Sequence, residues 1–389
     1  MNKRPITIRN PFILILETLA QSLDADFKRE KLPDPSTLPE KINWQRTLPF
    51  LFLHGGCLAL FCVGVSSVSL VAALLLYVIR MFAITGFYHR YFSHRTFKTS
   101  RLFQFLCAVL GNTSMQRGPL WWAATHRHHH THSDEEEDKH SPLRKGFLWS
   151  HIGWLTSMKN FPTPYNKVHD LSRYPELVFL NRYDKTVPIL YGVLMFGIGF
   201  FLEKKFPSLG VTGGQFFVWT FFISTTLLLH GTLFINSLAH LWGHRSYLTE
   251  DDSRNNFWLS LITLGEGWHN NHHRYPHAAR QGFHWWEVDI TYYGLKILSW
   301  MGFIWDLRPV PVSILEESAL TRIFHTDLLR KPGSQMDAAL DSHFDLGSRD
   351  TYSPTSKCSP TLPHQPSQPP RHDQYEISGL SQNRAQPLS

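Results

Sequence analysis

The residues with the clearest chemical potential are histidines, of which the 389-residue chain has 23, unevenly placed. Three groups stand out: His89-Arg90-Tyr91-Phe92-Ser93-His94, His126-Arg127-His128-His129-His130-Thr131-His132 and His269-Asn270-Asn271-His272-His273. On a helix, residues at i, i+3 and i+4 share a face. His126, His129 and His130 can therefore aim three imidazoles at one locus, and so can His269, His272 and His273. Asn236 and a lone His240 stand one turn apart. His89 and His94, five apart, are splayed by about 140° on an ideal helix, so they point at different atoms or straddle a helix end. Two triplets and a splayed pair suit a two-metal centre better than one tetrahedral ion. Imidazole binds zinc, copper, nickel and iron alike, which leaves the metal open. The H-E-x-x-H of zinc proteases is absent. His128, His132, His140 and His244 read as extras outside such a centre.

A centre built from distant segments needs a rigid scaffold, and the apolar runs supply one. A bilayer core takes about 20 apolar residues per helix. The stretch from Leu48 to Phe87, broken around Gly64-Val65-Ser66-Ser67, suits two spans, about 48–65 and 68–87. A second pair, about 187–202 and 215–235, is separated by Glu203-Lys204-Lys205 and the glycines of Gly210–Gly214; its first member is short. Arg80 falls inside the second run and reads as the point where that helix leaves the hydrocarbon, its side chain snorkelling outward. The fold class expected is all-α integral membrane: four transmembrane helices with a cytoplasmic helical cap carrying the histidine site.

Basic residues set the orientation. Lys41, Arg46, Arg90, Arg95, Lys98, Arg101, Arg182, Lys185 and Arg245 flank one side, and only Lys204 and Lys205 lie close on the other. The richer, cytoplasmic side then carries both termini, residues 88–186 and everything after 236. Residues 1–46, with Pro33, Pro35 and Pro39, read as a cytoplasmic arm with an interfacial helix near its start, and 47–325 as the membrane domain. Phe12–Leu16 is too short an apolar stretch for a signal peptide. The tail 331–389 is rich in Pro, Ser and Gln and is expected to be disordered.

A net charge of +7 and a pI near 9.2 fit an anionic membrane surface. No run of alternating aromatic and basic residues supports nucleic-acid binding. The four cysteines, Cys57, Cys62, Cys107 and Cys358, form no CxxC pair, which points to reduced thiols rather than a disulfide framework.

The three boxes, in this order and separation, closely resemble the HxxxxH, HRxHH and HNxHH signature of integral-membrane fatty acid desaturases. The likeness is to the stearoyl-CoA branch and its bacterial delta-9 relatives. Gly146-Phe147-Leu148-Trp149-Ser150-His151-Ile152-Gly153-Trp154 resembles that family's GFxxSHxGW stretch, and Asn236–Gly243 its NSxAHxxG. The likeness runs from about residue 48 to 310. It implies two irons held by His89, His94, His126, His129, His130, His240, His269, His272 and His273, with Asn236 contributing through a water. Trp121 and Trp122 become substrate contacts. The animal acyl-CoA enzymes of this family carry Arg-Asp before the second box to hold the CoA headgroup; here Ala124-Thr125 stands instead, so a lipid- or carrier-bound acyl chain becomes credible beside acyl-CoA.

The resemblance further implies dioxygen as co-substrate and a cis double bond, delta-9 by analogy, placed in a saturated chain for unsaturated fatty acid biosynthesis. Electrons have to come from outside, since the chain has no His-Pro-Gly-Gly haem motif, no CxxC pair and no dinucleotide fingerprint. A ferredoxin or small haem protein with its reductase is the expected donor. Two other readings predict different behaviour: a membrane di-iron hydroxylase yields an alcohol, and a non-enzymatic metal carrier consumes no oxygen. A carrier also calls for polar ligands inside the spans, where apart from His54 and His230 near span ends there are few.

Overall fold

The computed structural model describes residues 20, 23 to 26 and 37 to 318. The disordered tail expected over 331–389 and most of the arm expected over 1–46 lie outside the described residues. The described part is mostly helical. Four helices are long and apolar enough to cross a membrane: Arg46–Val63, Ser67–Ser93, Thr186–Lys205 and Gly213–His240. The third, expected to be short, has 20 residues. The second and fourth run past their expected ends and carry His89 and His240 with them.

Local sequence explains where these helices start. Helix α1 (Trp44–Cys57) begins where the Asn43 side chain accepts the Arg46 N–H at 3.1 Å, and α2 (Ser67–Phe82) where the Ser66 hydroxyl accepts the Ser69 N–H at 3.2 Å. Such caps satisfy backbone donors that no helical carbonyl reaches. Between them Gly64, at φ +67°, reverses the chain in a conformation that a Cβ disfavours. After the second span come α3 (Arg101–Asn112) and α4 (Pro119–Thr131), then the third span, α5 (Thr186–Lys205). The fourth is built from Gly213–Phe217, a π-helical Val218–Ile223 and α6 (Ser224–Ser237). Helices α7 (His269–Arg274) and α8 (Ile290–Trp300) follow the fourth span.

Leu70, Leu74, Leu75, Val78 and Ile79 of α2, with Leu190, Val193 and Leu194 of α5, point outward and are exposed. An apolar exterior on helices whose backbone bonds are internally satisfied suits lipid rather than water. The inward faces bring Leu53, Tyr191, Met195, Phe221, Leu229 and Leu233 into one core. A second core joins Phe87, Tyr88 and Phe92 to Leu120, Ala123 and Ala124, the alanines letting α4 approach the second span closely. A two-stranded antiparallel pairing, Lys98–Thr99 with Ile304–Trp305, ties the start of the segment after span two to the end of the segment after span four.

Arg80 does not snorkel. It is 1 % exposed, and its helix continues for three further turns. Its guanidinium donates to Ser224 Oγ (2.7 Å), Thr225 Oγ1 (2.6 Å) and the carbonyls of Leu76, Thr113 and Thr220. Five donors meet five acceptors, with the Tyr191 ring 4.7 Å away. Thr220 lies in the π-helical stretch, whose wider winding frees carbonyls from helical pairing.

Candidate metal centre

The first box sits on a π-helical continuation of the second span, Ala83–Ser93. Of the two expected arrangements the structure has the second: the helix ends at Ser93 and His94 is its C-cap. In i→i+5 winding, residues five apart fall nearly over one another, and the His94 N–H donates to the His89 carbonyl at 3.3 Å. The two imidazoles end in one group, ring centroids 5.0 Å apart.

The expectation that each triplet aims at one locus is also corrected. The nine expected imidazoles form two adjoining groups: His89, His94, His126, His130 and His272 in one, His129, His240, His269 and His273 in the other. Both helical boxes are divided between them. On α4 the i and i+4 members, His126 and His130, face the first group and His129 the second. On α7 the order is mirrored, with His269 and His273 facing the second group and His272 the first. The cause is geometric, because residues i+3 and i+4 lie about 100° apart around a helix. The groups touch, the rings of His130 and His273 being 4.5 Å apart.

Nitrogen spacings support a metal role. Nε2 atoms stand 3.0 Å apart for His89 and His272, 2.8 Å for His94 and His126, 3.0 Å for His126 and His130, 2.8 Å for His130 and His272, and 3.1 Å for His240 and His269. Two nitrogens bound at right angles, each about 2.1 Å from one ion, are about 3.0 Å apart. Buried His273 Nε2 has no hydrogen-bond partner. The residues therefore fit two transition-metal ions.

Behind the rings stands a set of carboxylates that sequence reasoning missed. The Nδ1–H of His129 donates to Asp138 (3.0 Å) and that of His240 to Asp134 (2.8 Å). His273 donates to Asp251, and His89 pairs with Glu266. A carboxylate on the far nitrogen fixes tautomer and ring orientation and raises ligand basicity. Three of these four pairs serve the four-histidine group. The acidic run Asp134–Asp138 beside the second box was a usable signal: Asp134 and Asp138, four apart, are buried, while Glu135, Glu136 and Glu137 are exposed.

The residues between the histidines build the frame. Arg127 donates to Asp170 (2.7 and 3.0 Å) and to the carbonyls of Phe92 and Ser93, joining the second box to the first. Fully buried Arg90 bonds Glu266 (3.1 Å) and Asp289 (3.0 Å), joining the first to the third. Asn270 Oδ1 accepts the backbone N–H groups of Ser246 (2.7 Å) and Tyr247 (2.8 Å). A Cβ on Gly267 would stand 2.1 Å from the Ser260 nitrogen, so only glycine lets α7 dock here.

Electrostatics keep the lone pairs free. Burial, then repulsion among neighbouring imidazoles, holds His94, His126, His130, His269 and His272 well below the ordinary histidine range. Burial lowers His273 to about 4 against the pull of Asp251. His129 goes the other way: burial lowers it, but Asp138, with Asp134 and Asp251 behind it, raises it on balance. Burial alone would raise Asp134, Asp138 and Asp251, yet their histidine partners hold all three below the usual carboxylate range. Neutral imidazole is the ligand form.

Two cavities reach the centre. The larger, about 420 Å³, is lined by Trp121, Trp122, His126 and Asn236 among others, so both expected tryptophans border it. The smaller, about 40 Å³, lies under both groups and shares Trp122, His126, Thr232 and Asn236 with the first. At that shared wall Gln116 donates to Thr232 Oγ1 at 3.0 Å. His128, His132 and His244 stand outside the two groups, but His140 is no surface extra: it is buried beside His129, ring centroids 4.4 Å apart. His54 and His230 bond each other (2.8 Å), and His230 bonds His151 (2.9 Å), neither joining either group. Cys57, Cys62 and Cys107 are free.

Fold and site together define an integral membrane protein built around two adjoining histidine cages. The family model described as fatty acid desaturase matches residues 66–296. An sn-1 stearoyl-lipid 9-desaturase from Anabaena variabilis is 38 % identical over 277 residues, covering 70 % of this chain and 96 % of that one. Delta-9 acyl-lipid desaturase 1 of Arabidopsis thaliana is 37 % identical over 291 residues, 73 % of this chain and 89 % of that one. An acyl-CoA 5-desaturase from Anemone leveillei is 33 % identical over 310 residues, 75 % and 92 % of the two chains. The chain belongs to the fatty acid desaturase family and is an oxidoreductase.

Proposed function

We propose that this enzyme places a cis double bond at the 9 position of a saturated acyl chain carried on a lipid, with two irons held by the nine clustered histidines. The observation that carries the reading is the convergence of those nine imidazoles, from three boxes and His240, on two adjoining points at the end of an apolar cavity. The all-nitrogen donor set suits iron. When bound there, a reduced iron pair supplies, with dioxygen, the power to take one hydrogen from each of two adjacent methylenes. Two electrons and two protons from outside complete the reduction of dioxygen to two waters.

The chain's own task is positioning. Trp122, Thr232 and Asn236 form the wall where the two cavities meet under the histidines. A chain threaded along that wall presents one methylene pair to the cages. Asn236, bordering both cavities, is placed to hold a water beside them. The carboxylates of Asp134, Asp138, Asp251 and Glu266 keep the far nitrogens protonated, so each Nε2 keeps its lone pair inward. The lipid-linked carrier draws support from the acyl-lipid activities named for the relatives from Anabaena variabilis and Arabidopsis thaliana and from Ala124-Thr125. The basic flanks of the spans favour a cytoplasmic position for the cages, where a ferredoxin or small haem protein would deliver electrons.

Expression in a host lacking unsaturated lipids, followed by gas chromatography of its fatty acids, tests the reading. A delta-9 alkene is expected. A hydroxylated chain would assign the related hydroxylase chemistry, and an unchanged profile would overturn both.

A further inference from the structure

We propose that Arg46 and Arg117 form a recognition site for a phosphate on the substrate's headgroup, at the mouth of the larger cavity. The proposal rests on reading that cavity as the acyl channel and goes on to name the chemistry of its head.

Arg117 comes from the loop between α3 and α4, where Met115 and Arg117 both take positive φ (59° and 69°). Positive φ at two non-glycine residues is held only by strong surroundings, and here it accompanies a guanidinium lining the cavity. Its Nε donates to Asp184 at 2.5 Å and one terminal nitrogen to the Phe161 carbonyl at 3.2 Å. The other terminal nitrogen is buried and has no partner. Arg46, at the start of the first span, lines the same cavity, its guanidinium 3.2 Å from the centre of the Phe161 ring; that of Arg117 is 3.9 Å from the same ring. Arg46 makes no ion pair among the described residues.

Charge at this mouth is unbalanced. Arg46, Arg117 and Lys185 line the cavity with a single carboxylate, Asp184. Burial, helped by Arg46 and Arg117 against the pull of Asp184, holds the Lys185 ammonium below its ordinary range. The buried Arg117 nitrogen, a desolvated donor without an acceptor, is costly to leave so. A phosphate, with several acceptor oxygens and full negative charge, matches paired guanidiniums better than any uncharged head. The same cavity is lined by apolar Phe50, Leu53, Leu229 and Leu233 and by His126 and Asn236, so a phosphate held at the arginines leaves its acyl chain in a space that borders the cages.

Phosphate can be that of a phospholipid or of CoA, and binding distinguishes them. The full chain, purified in nonionic detergent, is titrated with distearoyl phosphatidylglycerol, stearoyl-CoA and uncharged distearoylglycerol. Arg46→Gln and Arg117→Gln should each weaken a phosphate-bearing ligand about tenfold, as befits loss of one charge-assisted contact, and leave distearoylglycerol unchanged. Loss confined to one phosphate ligand supports the site and names the source. Unchanged affinity for both, or an equal loss for distearoylglycerol, overturns it. Arg117→Gln leaves Asp184 unpaired, so Arg117→Gln with Asp184→Asn is measured beside it, while Arg46→Gln breaks no ion pair. Binding is read without turnover: arginine-dependent binding by a chain that makes no alkene upholds the site and overturns the desaturase reading instead.

Discussion

Replacing Asp138 by asparagine isolates what the buried carboxylates do. Asp138 accepts three N–H donors: His129 Nδ1 at 3.0 Å, Asp134 N at 3.0 Å and His140 N at 3.1 Å. Asparagine keeps the shape but offers one accepting oxygen and an amide that donates. If its oxygen keeps His129 and Asp134, its NH₂ meets the His140 N–H; turned over, it meets the other two. The charge opposite His129 is lost either way. Outer partners of this kind are worth about 10- to 100-fold in metal affinity, or about 1.4 to 2.7 kcal/mol. The loss falls on the four-histidine group, to which His129 belongs. Purified Asp138→Asn, challenged with graded chelator and analysed by plasma mass spectrometry, should give up one of two metals at about 10- to 100-fold lower chelator than the unaltered chain. The other metal should persist. Asp306→Asn, which breaks an exposed pair with Lys98, should change nothing. Identical release curves for Asp138→Asn and the unaltered chain would refute the reasoning.

Three further outcomes follow. His129→Ala or His272→Ala should abolish desaturation while the protein stays in the membrane; activity equal to that of the unaltered chain in either would remove that residue from the ligand set. Stripped of metal, the chain should lose stability as pH falls below about 6.5. His94, His126, His130, His269 and His272 are held well below that value by burial and one another, so the unfolded chain takes up protons first; their contribution is present above 6.5 and lost as pH falls. An equal melting temperature at pH 7.5 and 5.5 would contradict this. Arg80→Gln strands acceptors on Ser224, Thr225 and Thr220 and should cost about 2 kcal/mol, read as a lower melting temperature in detergent.

The sequence made the histidines legible because their type is rare in apolar surroundings and their spacing is local. It could also place four apolar helices, since hydrophobic length is a local property. What it hid was winding and depth. Ala83–Ser93 carries no visible mark of π-helical pairing, so the spacing of His89 and His94 left open whether they diverge or straddle a helix end. The boxes showed which residues point inward but not that His129 and His272 turn to opposite groups from their neighbours, because that depends on two helices facing each other. Arg80 looked like a boundary marker since four of its five acceptors lie more than 30 residues away, just past α3 and on the fourth span. The burial of Asp251 and Glu266 against the histidines depends on distant segments, which local sequence does not show.

The central claim is that one polypeptide cages two irons with nine imidazoles. Metal analysis of the purified full chain tests it most directly. Two irons per chain are expected, falling to at most one when His240 and His269 are both changed to alanine. A fully loaded chain that held zinc alone, or whose iron content ignored those changes, would contradict it.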